Sequence, residues 1–479
     1  MGKNSRSATA KVVGAHVKGP WTSRHGENEE ILKMRTIALT ASAGCLCAMA
    51  GLAHAEPLAP PAGPVAGTGA TQIFELPFSI NQPGSYRLAR DVTSPGGNGI
   101  TINASNVTLD LGGHTMNGGG VGVEGVYLPG NLEGVTIQNG TITNWQNAAI
   151  FDNFDSDTGV VVREIRATNL GLEGIRLSDS DALIIECVVT NAVGPGAGGA
   201  APEGGATSGQ GIWVGNNSRI VDCKVVNAGD EGILAGFNAV ITGCIVDGAT
   251  FLEGAAGIAA GNNAVIENCV VTNSASGGFA TGQQSNLSNC TATNNFGAVA
   301  ATGGTVDRRK GEIVPLYEPA APSIDGRTGQ PIMDVAHALL TTEGFGAAEG
   351  FLVGDGSRID NCIADFNSGT GFLLSNNSYI TNSVANNNGG DGISVVNDNV
   401  VNENRASVNS GNGFVIGSNG NHVEGNYASA NSVDGFLING GFEVVIRNHV
   451  ELDNINNVGG SALVGPINDL TSPTSNWAQ

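Results

Sequence analysis

Aromatic residues make up only 5% of the 479 residues, and charged residues only 13%. No stretch carries the 3.6-residue apolar spacing of an amphipathic helix, which argues against helical, leucine-rich and ankyrin-type repeats. Basic residues are scarce, 21 against 43 acidic, for a net charge of −22. Such a surface repels phosphates, so nucleic acid is excluded as a partner. No histidine pairs with an obvious serine or cysteine, so nucleophilic acyl chemistry has no support. Low charge and 73 glycines suggest disorder at first sight. The regular spacing of apolar residues argues otherwise, because a solenoid buries its core between neighbouring repeats and needs few large side chains.

What the chain does have is self-similarity. "GIWVGNNSRIVDCKVVNAGD" (Gly211 to Asp230) is followed by "EGILAGFNAVITGCIVDGA" (Glu231 to Ala249). A glycine followed by an apolar strand recurs at Gly174, Gly211, Gly232, Gly257, Gly278, Gly297, Gly350, Gly371, Gly392, Gly413 and Gly435, mostly every 21 or 22 residues. Twelve or thirteen residues after these glycines stands one recurring position, filled by Cys187, Cys223, Cys244, Cys269, Cys290, Cys362, Ser383, Asn404, Asn426 and Asn448. Within a repeat, apolar residues alternate over short runs and Gly, Asn, Ser and Asp fill the gaps, which means strands and turns. The expected fold is all-β, a single-stranded right-handed parallel β-helix (solenoid) of about fourteen coils with three short strands each. At ~4.8 Å per coil its column is ~65–70 Å long.

The cysteine position is read as an inward bend, stacked coil upon coil. Disulfides are disfavoured there, because stacked neighbours sit ~4.8 Å apart while a disulfide needs Cβ atoms ~3.5–4.5 Å apart. The six are therefore expected to be buried, reduced thiols. A linear ladder also cannot close a zinc tetrahedron.

"MRTIALTASAGCLCAMAGLAHA" (Met34 to Ala55) has a basic start, an apolar stretch and a small-residue end, the form of a secretory signal peptide cut after Ala55. The preceding residues 1–33 read as a mis-called start, and 56–72 as a Pro/Ala/Gly linker. No lasting transmembrane span is expected, and the localisation is secreted, periplasmic or cell-surface. Removing residues 1–55 takes away seven of the 21 basic and three of the 43 acidic residues, leaving a mature charge of −26. The β-helix is assigned to 73–460, with an N-terminal cap over 73–98, insertions at 194–210 and 310–348, and a C-terminal tail or cap over 461–479. All insertions leave the column after the inward bend, along one edge.

"PGSYRLARDV" and "GITINASNVTLDLGGHTMNG" (Gly99 to Gly118) resemble the first coils of bacterial right-handed parallel β-helix repeat proteins, of the pectate-lyase-like superfold. "GFVIGSNGNHVEGNYASANS" resembles their later repeats, and the likeness covers roughly residues 75–460. It implies the fold. That group spans polysaccharide lyases, epimerases, glycosidases and phage tailspikes, and no catalytic signature of these is present to carry over. His114 belongs to the structural opening turn.

The outward residue of each first strand reads Thr101, Tyr127, Phe151, Arg176, Trp213, Leu234, Ala259, Ala280, Val299, Leu352, Leu373, Ser394, Val415, Leu437. Tyr127, Phe151, Arg176 and Trp213 are consecutive, and rings beside a guanidinium suit sugar rings and their carboxylates. Arg176 is the candidate catalytic base or carboxylate clamp of a lyase. Asp155, Asp157, Asp179 and Asp181, in neighbouring turns, are the candidate calcium ligands, with solvated turn aspartates as the alternative. The aliphatic remainder of the file should be covered. Two functions follow: an exported protein that binds, and cleaves by β-elimination, an extracellular polysaccharide; or a non-catalytic scaffold using the aliphatic stripe for a partner or a second copy.

Overall fold

The computed structural model describes residues 69–153, 157–177, 181–193, 209–249, 256–275, 277–296 and 348–452, and short stretches (455–457, 463–464 and 476–478) beyond. Every regular element among them is a β-strand. One coil consists of Ile212–Val214, Arg219–Val221 and Lys224–Ala228, and the next of Ile233–Ala235, Val240–Thr242 and Ile245–Ala249. They pair strand on strand in parallel register: Ile212 with Ile233, Ile220 with Ile241, Val225 with Val246. The first strands form a 15-stranded parallel sheet, and the second and third strands join in a 29-stranded one. The expected fold, a parallel β-helix with ~22-residue coils, is the one observed.

The repeat glycine is required by space rather than by dihedral angle. A Cβ on Gly211 would lie 2.6 Å from the carbonyl oxygen of Gly232 and 2.3 Å from Val225 Cγ1. The next coil's backbone occupies the place of a side chain, so the chain can only turn this tightly into its first strand without one. The following residue points inward, and in the upper coils it builds a ring stack. Phe279, Phe351 and Phe372 are 4.8 and 4.6 Å apart, and Phe414 and Phe436 4.5 Å.

The bend between second and third strands is made by one left-handed residue, such as Asp222 (φ 52°), Asn268 (55°), Asn361 (51°) or Asn382 (52°). Asparagine and aspartate tolerate that conformation best. The next side chain then points into the column, which is why Cys187, Cys223, Cys244, Cys269, Cys290 and Cys362 form one vertical file, all buried and all free thiols. Each Sγ lies near a carbonyl two residues earlier, 3.3 Å for Cys223 and Val221. Higher up, amides replace thiols and bond along the axis: Asn404 Nδ2 donates to Asn426 Oδ1 (3.0 Å) and Asn426 Nδ2 to Asn448 Oδ1 (3.0 Å). A second inward amide file joins Asn367, Asn388, Asn409 and Asn431 at 3.0, 3.0 and 2.9 Å.

Three boundaries differ from expectation. Gly297 and Val299 lie outside the described residues, and in the sheet Ala280 pairs directly with Leu352. The Gly-Ala-Val step from Gly297 resembles the repeat in a segment rich in small residues. Gln210 and Ala348 belong to the coils rather than to the insertions, since Gln210 O and Ala348 O accept from Gly174 N and Gly369 N. The column also begins at Thr71 and takes up Leu463–Val464 and Trp477–Ala478 near its other end. Residues 1–68, and the bulk of both insertions, lie outside the described residues. No helix among the described residues is long and apolar enough to cross a membrane.

Candidate functional site

Because the first strands stack in register, their outward residues form a straight file. Tyr127 pairs with Phe151, Phe151 with Arg176, and Arg176 with Trp213. The Tyr127 and Phe151 rings stack at 6.3 Å and 21°. The Arg176 guanidinium lies between the next two rings, 5.0 Å from Phe151 and 3.9 Å from Trp213. The three rings are half-buried, while Arg176 is only 7% exposed. Its Nη1 donates to Glu173 Oε1 at 2.8 Å. The structure therefore brings the four strip residues together, but it holds Arg176 as a paired, ring-flanked cation rather than as an open base. Burial draws its pKa down, and Glu173 opposes that.

Beside the strip runs a row that the sequence reading missed. The residue immediately before the repeat glycine is Glu124, Glu173, Gln210 and Glu231 in four of these coils, and all four are buried. Asn147 Nδ2 donates to Glu124 Oε1 (3.0 Å). Gln210 Nε2 donates to Asp230 Oδ2 (3.1 Å) and Glu231 Oε2 (3.2 Å). Asp152, which follows Phe151, takes an inward position and is also fully buried. Burial raises the Glu124 pKa to about 7; Asn147 opposes this, and Glu173 adds to it. Asp230 is raised well above the carboxylate range, first by burial and then by Glu231. Burial thus brings Glu124 into the range where it can give up a proton near neutral pH, next to an aromatic strip, the arrangement a proton donor requires. The signal was present in the sequence, one position before glycines already aligned.

The four aspartates are not seen as a group. Asp155 and Asp179 lie outside the described residues. Asp157 is buried and accepts from the backbone N–H of Leu132, while Asp181 is exposed in its turn. No set of three His, Cys, Asp or Glu residues among those described is placed to hold a metal ion. Further up the file, Ala259, Ala280 and Leu352 are buried, with Leu234 and Leu373 packed beside them.

Residues 344–465 match the family model "Right handed beta helix region". The chain is a right-handed parallel β-helix. No curated protein matches this β-helix by sequence. The chain is similar to several solved structures; pectate lyase Pel9A (14% identity, TM-score 0.33, 70% of each chain covered) is one. The periplasmic alginate epimerase AlgG is another, at 10% identity and TM-score 0.29, covering 83% of this chain and 78% of that one. The A-module of the mannuronan C-5 epimerase AlgE4 of Azotobacter vinelandii is 13% identical, with a TM-score of 0.22 and coverage of 86% and 91%.

Proposed function

We propose that this β-helix is an exported protein that binds, and chemically modifies, an extracellular polysaccharide along the Tyr127–Trp213 strip. The observation that supports this most is the strip itself. Three half-buried rings and a guanidinium stand on consecutive rungs of a rigid sheet, with buried carboxyls one (Asp152) and three (Glu124, Glu173) residues away. Flat apolar faces flanked by hydrogen-bonding groups fit pyranose rings, and a rigid sheet holds them in place without ordering cost. Among chemistries, the protonated Glu124 favours acid-assisted modification over β-elimination with Arg176 as base, because Arg176 would first have to leave Glu173 and its two rings.

The test is tryptophan fluorescence and calorimetric titration of the chain beginning at Glu56 with a panel of polysaccharides, with and without calcium, followed by product analysis. Phe151→Ala and Trp213→Ala should weaken binding at least tenfold while leaving the fold intact. Equal binding by both variants would remove the strip from the function. Export is checked by N-terminal sequencing of the mature protein, which should begin at Glu56.

The scaffold reading draws on the aliphatic part of the file. Ala259, Ala280 and Leu352 are already buried within the single chain, so the stripe's centre does not offer itself to a second copy. That observation favours the glycan reading.

A further inference from the structure

We propose that the Tyr127–Trp213 strip selects a glycan free of carboxylates, neutral or amino-bearing, over a polyuronate; this rests on the polysaccharide-binding reading above. The first ground is charge. The file's cation, Arg176, already donates to Glu173 and has a ring on each face. Around it are Glu173, Asp152 and Glu124, and Asp230 and Glu231 lie further along the row beside Gln210, all buried. A uronate carboxylate would lose water beside acids whose own anions burial already disfavours, with Arg176 already paired to Glu173, which is strongly unfavourable. The whole chain, at −22, adds repulsion at longer range.

The second ground is hydrogen-bonding sense. Two buried oxygens in this row have no hydrogen-bond partner: Glu124 Oε2 and Gln210 Oε1. Glu124 is 6% exposed and Gln210 7%. Gln210 Oε1 can only accept, and Glu124 Oε2 accepts whenever its proton is on the other oxygen or absent. A sugar hydroxyl can donate to Gln210 Oε1 and pair with Glu124 Oε2 in either protonation state; a carboxylate, an acceptor only, cannot satisfy Gln210 Oε1. Charge and donor–acceptor matching therefore point to the same substrate class by independent routes.

The experiment titrates the chain with a neutral glucan, chitosan and polygalacturonate of matched length at one ionic strength, reading tryptophan fluorescence and heat. Binding of the glucan or chitosan at least tenfold tighter than the uronate is expected, and the two former arms separate hydroxyl from ammonium recognition. Glu231→Gln and Glu124→Gln should narrow that gap, weakening chitosan and strengthening polygalacturonate. A purely structural role would instead shift all three polymers alike and would overturn the charge argument. Polygalacturonate binding as tightly as the others, or tighter, overturns the inference while leaving polysaccharide binding intact. Binding of none of the three, with Trp213→Ala silent, sinks the underlying reading itself.

Discussion

The Arg176 guanidinium lies 3.9 Å from the centre of the Trp213 ring and donates to Glu173 at 2.8 Å. Both partners come from stacking: Trp213 is its neighbour one rung away, and Glu173 sits one turn before it in the same coil. Removing the cation deprives the buried Glu173 carboxylate of its charge partner. Arg176→Ala should therefore destabilise the column by about 3–5 kcal/mol, the range for breaking one side of a buried ion pair. Arg176→Lys should recover only part, since an ammonium cannot present a flat face to two rings. Adding Glu173→Gln to Arg176→Ala should restore much of the loss. Denaturant midpoints for these proteins and Glu173→Gln alone decide it; an additive double variant would mean that Glu173 and Arg176 do not act as a pair.

Glu124 ties stability to pH. Its carboxyl titrates near 4.5 when free and at about 7 in the fold, chiefly because burial disfavours the anion. Below pH 4.5 both states hold the proton. Between 4.5 and about 7 the unfolded chain ionises first, so unfolding releases a proton and stability falls as pH rises. The interval corresponds to roughly 3 kcal/mol at full effect. Asp230 and Glu349, raised by burial as well, act with the same sign. Urea midpoints at pH 4.5 and pH 8 should show wild type weakened at the higher pH, and Glu124→Gln weakened less. A larger loss in the variant would contradict the assignment.

Much of this architecture was readable from residues alone, and the reason is geometric. A parallel stack repeats each local environment, so Gly211 and Gly232, or Cys223 and Cys244, report the same steric demand twice. The strip from Tyr127 to Trp213 followed from that register. Gly-x-apolar is too short a pattern to place a rung among small residues: spacing alone does not reveal that Ala280 pairs with Leu352, 72 positions on. Glu124, Glu173 and Glu231 escaped because turn acids ordinarily face water. Whether a turn position is buried depends on what packs beside it, which periodicity does not encode.

The thiol file gives a chemical prediction. In the chain beginning at Glu56, all six cysteines are buried, free and near backbone carbonyls. Cys187 is held above the ordinary thiol range by its neighbour Cys223 and by burial. A thiol-disulfide reagent should label none of the six in the native protein and all six in denaturant. Cys244→Ser should cost less than about 1.5 kcal/mol, since Ser383 fills the same file, whereas Cys244→Leu should cost about 1–3 kcal/mol by overpacking. Native labelling, or cross-links in non-reducing peptide maps, would contradict the in-register stack.

The sharpest test of that stack concerns Glu443. It occupies the position of Ser378, Asn399 and Asn421 three, two and one coils earlier. At each of those steps a backbone N–H donates to the next side-chain oxygen: Ser378 N to Asn399 (2.8 Å), then Asn399 N to Asn421 (2.9 Å). Glu443 is fully buried, yet neither carboxylate oxygen has a hydrogen-bond partner. Its longer side chain reaches toward Gly440, whose missing Cβ leaves the room. Glu443→Asn should place an amide oxygen above Asn421 N–H and an amide nitrogen toward the coil beneath, extending the file. Relief of the buried acid and gain of the ladder bonds together amount to about 1–3 kcal/mol of added stability. Glu443→Ala is the control: it removes the orphaned oxygens but rebuilds no ladder, so its denaturant midpoint should fall below that of the Asn variant. If Ala and Asn behave alike, the file ends at Asn421 and position 443 is not a rung of it.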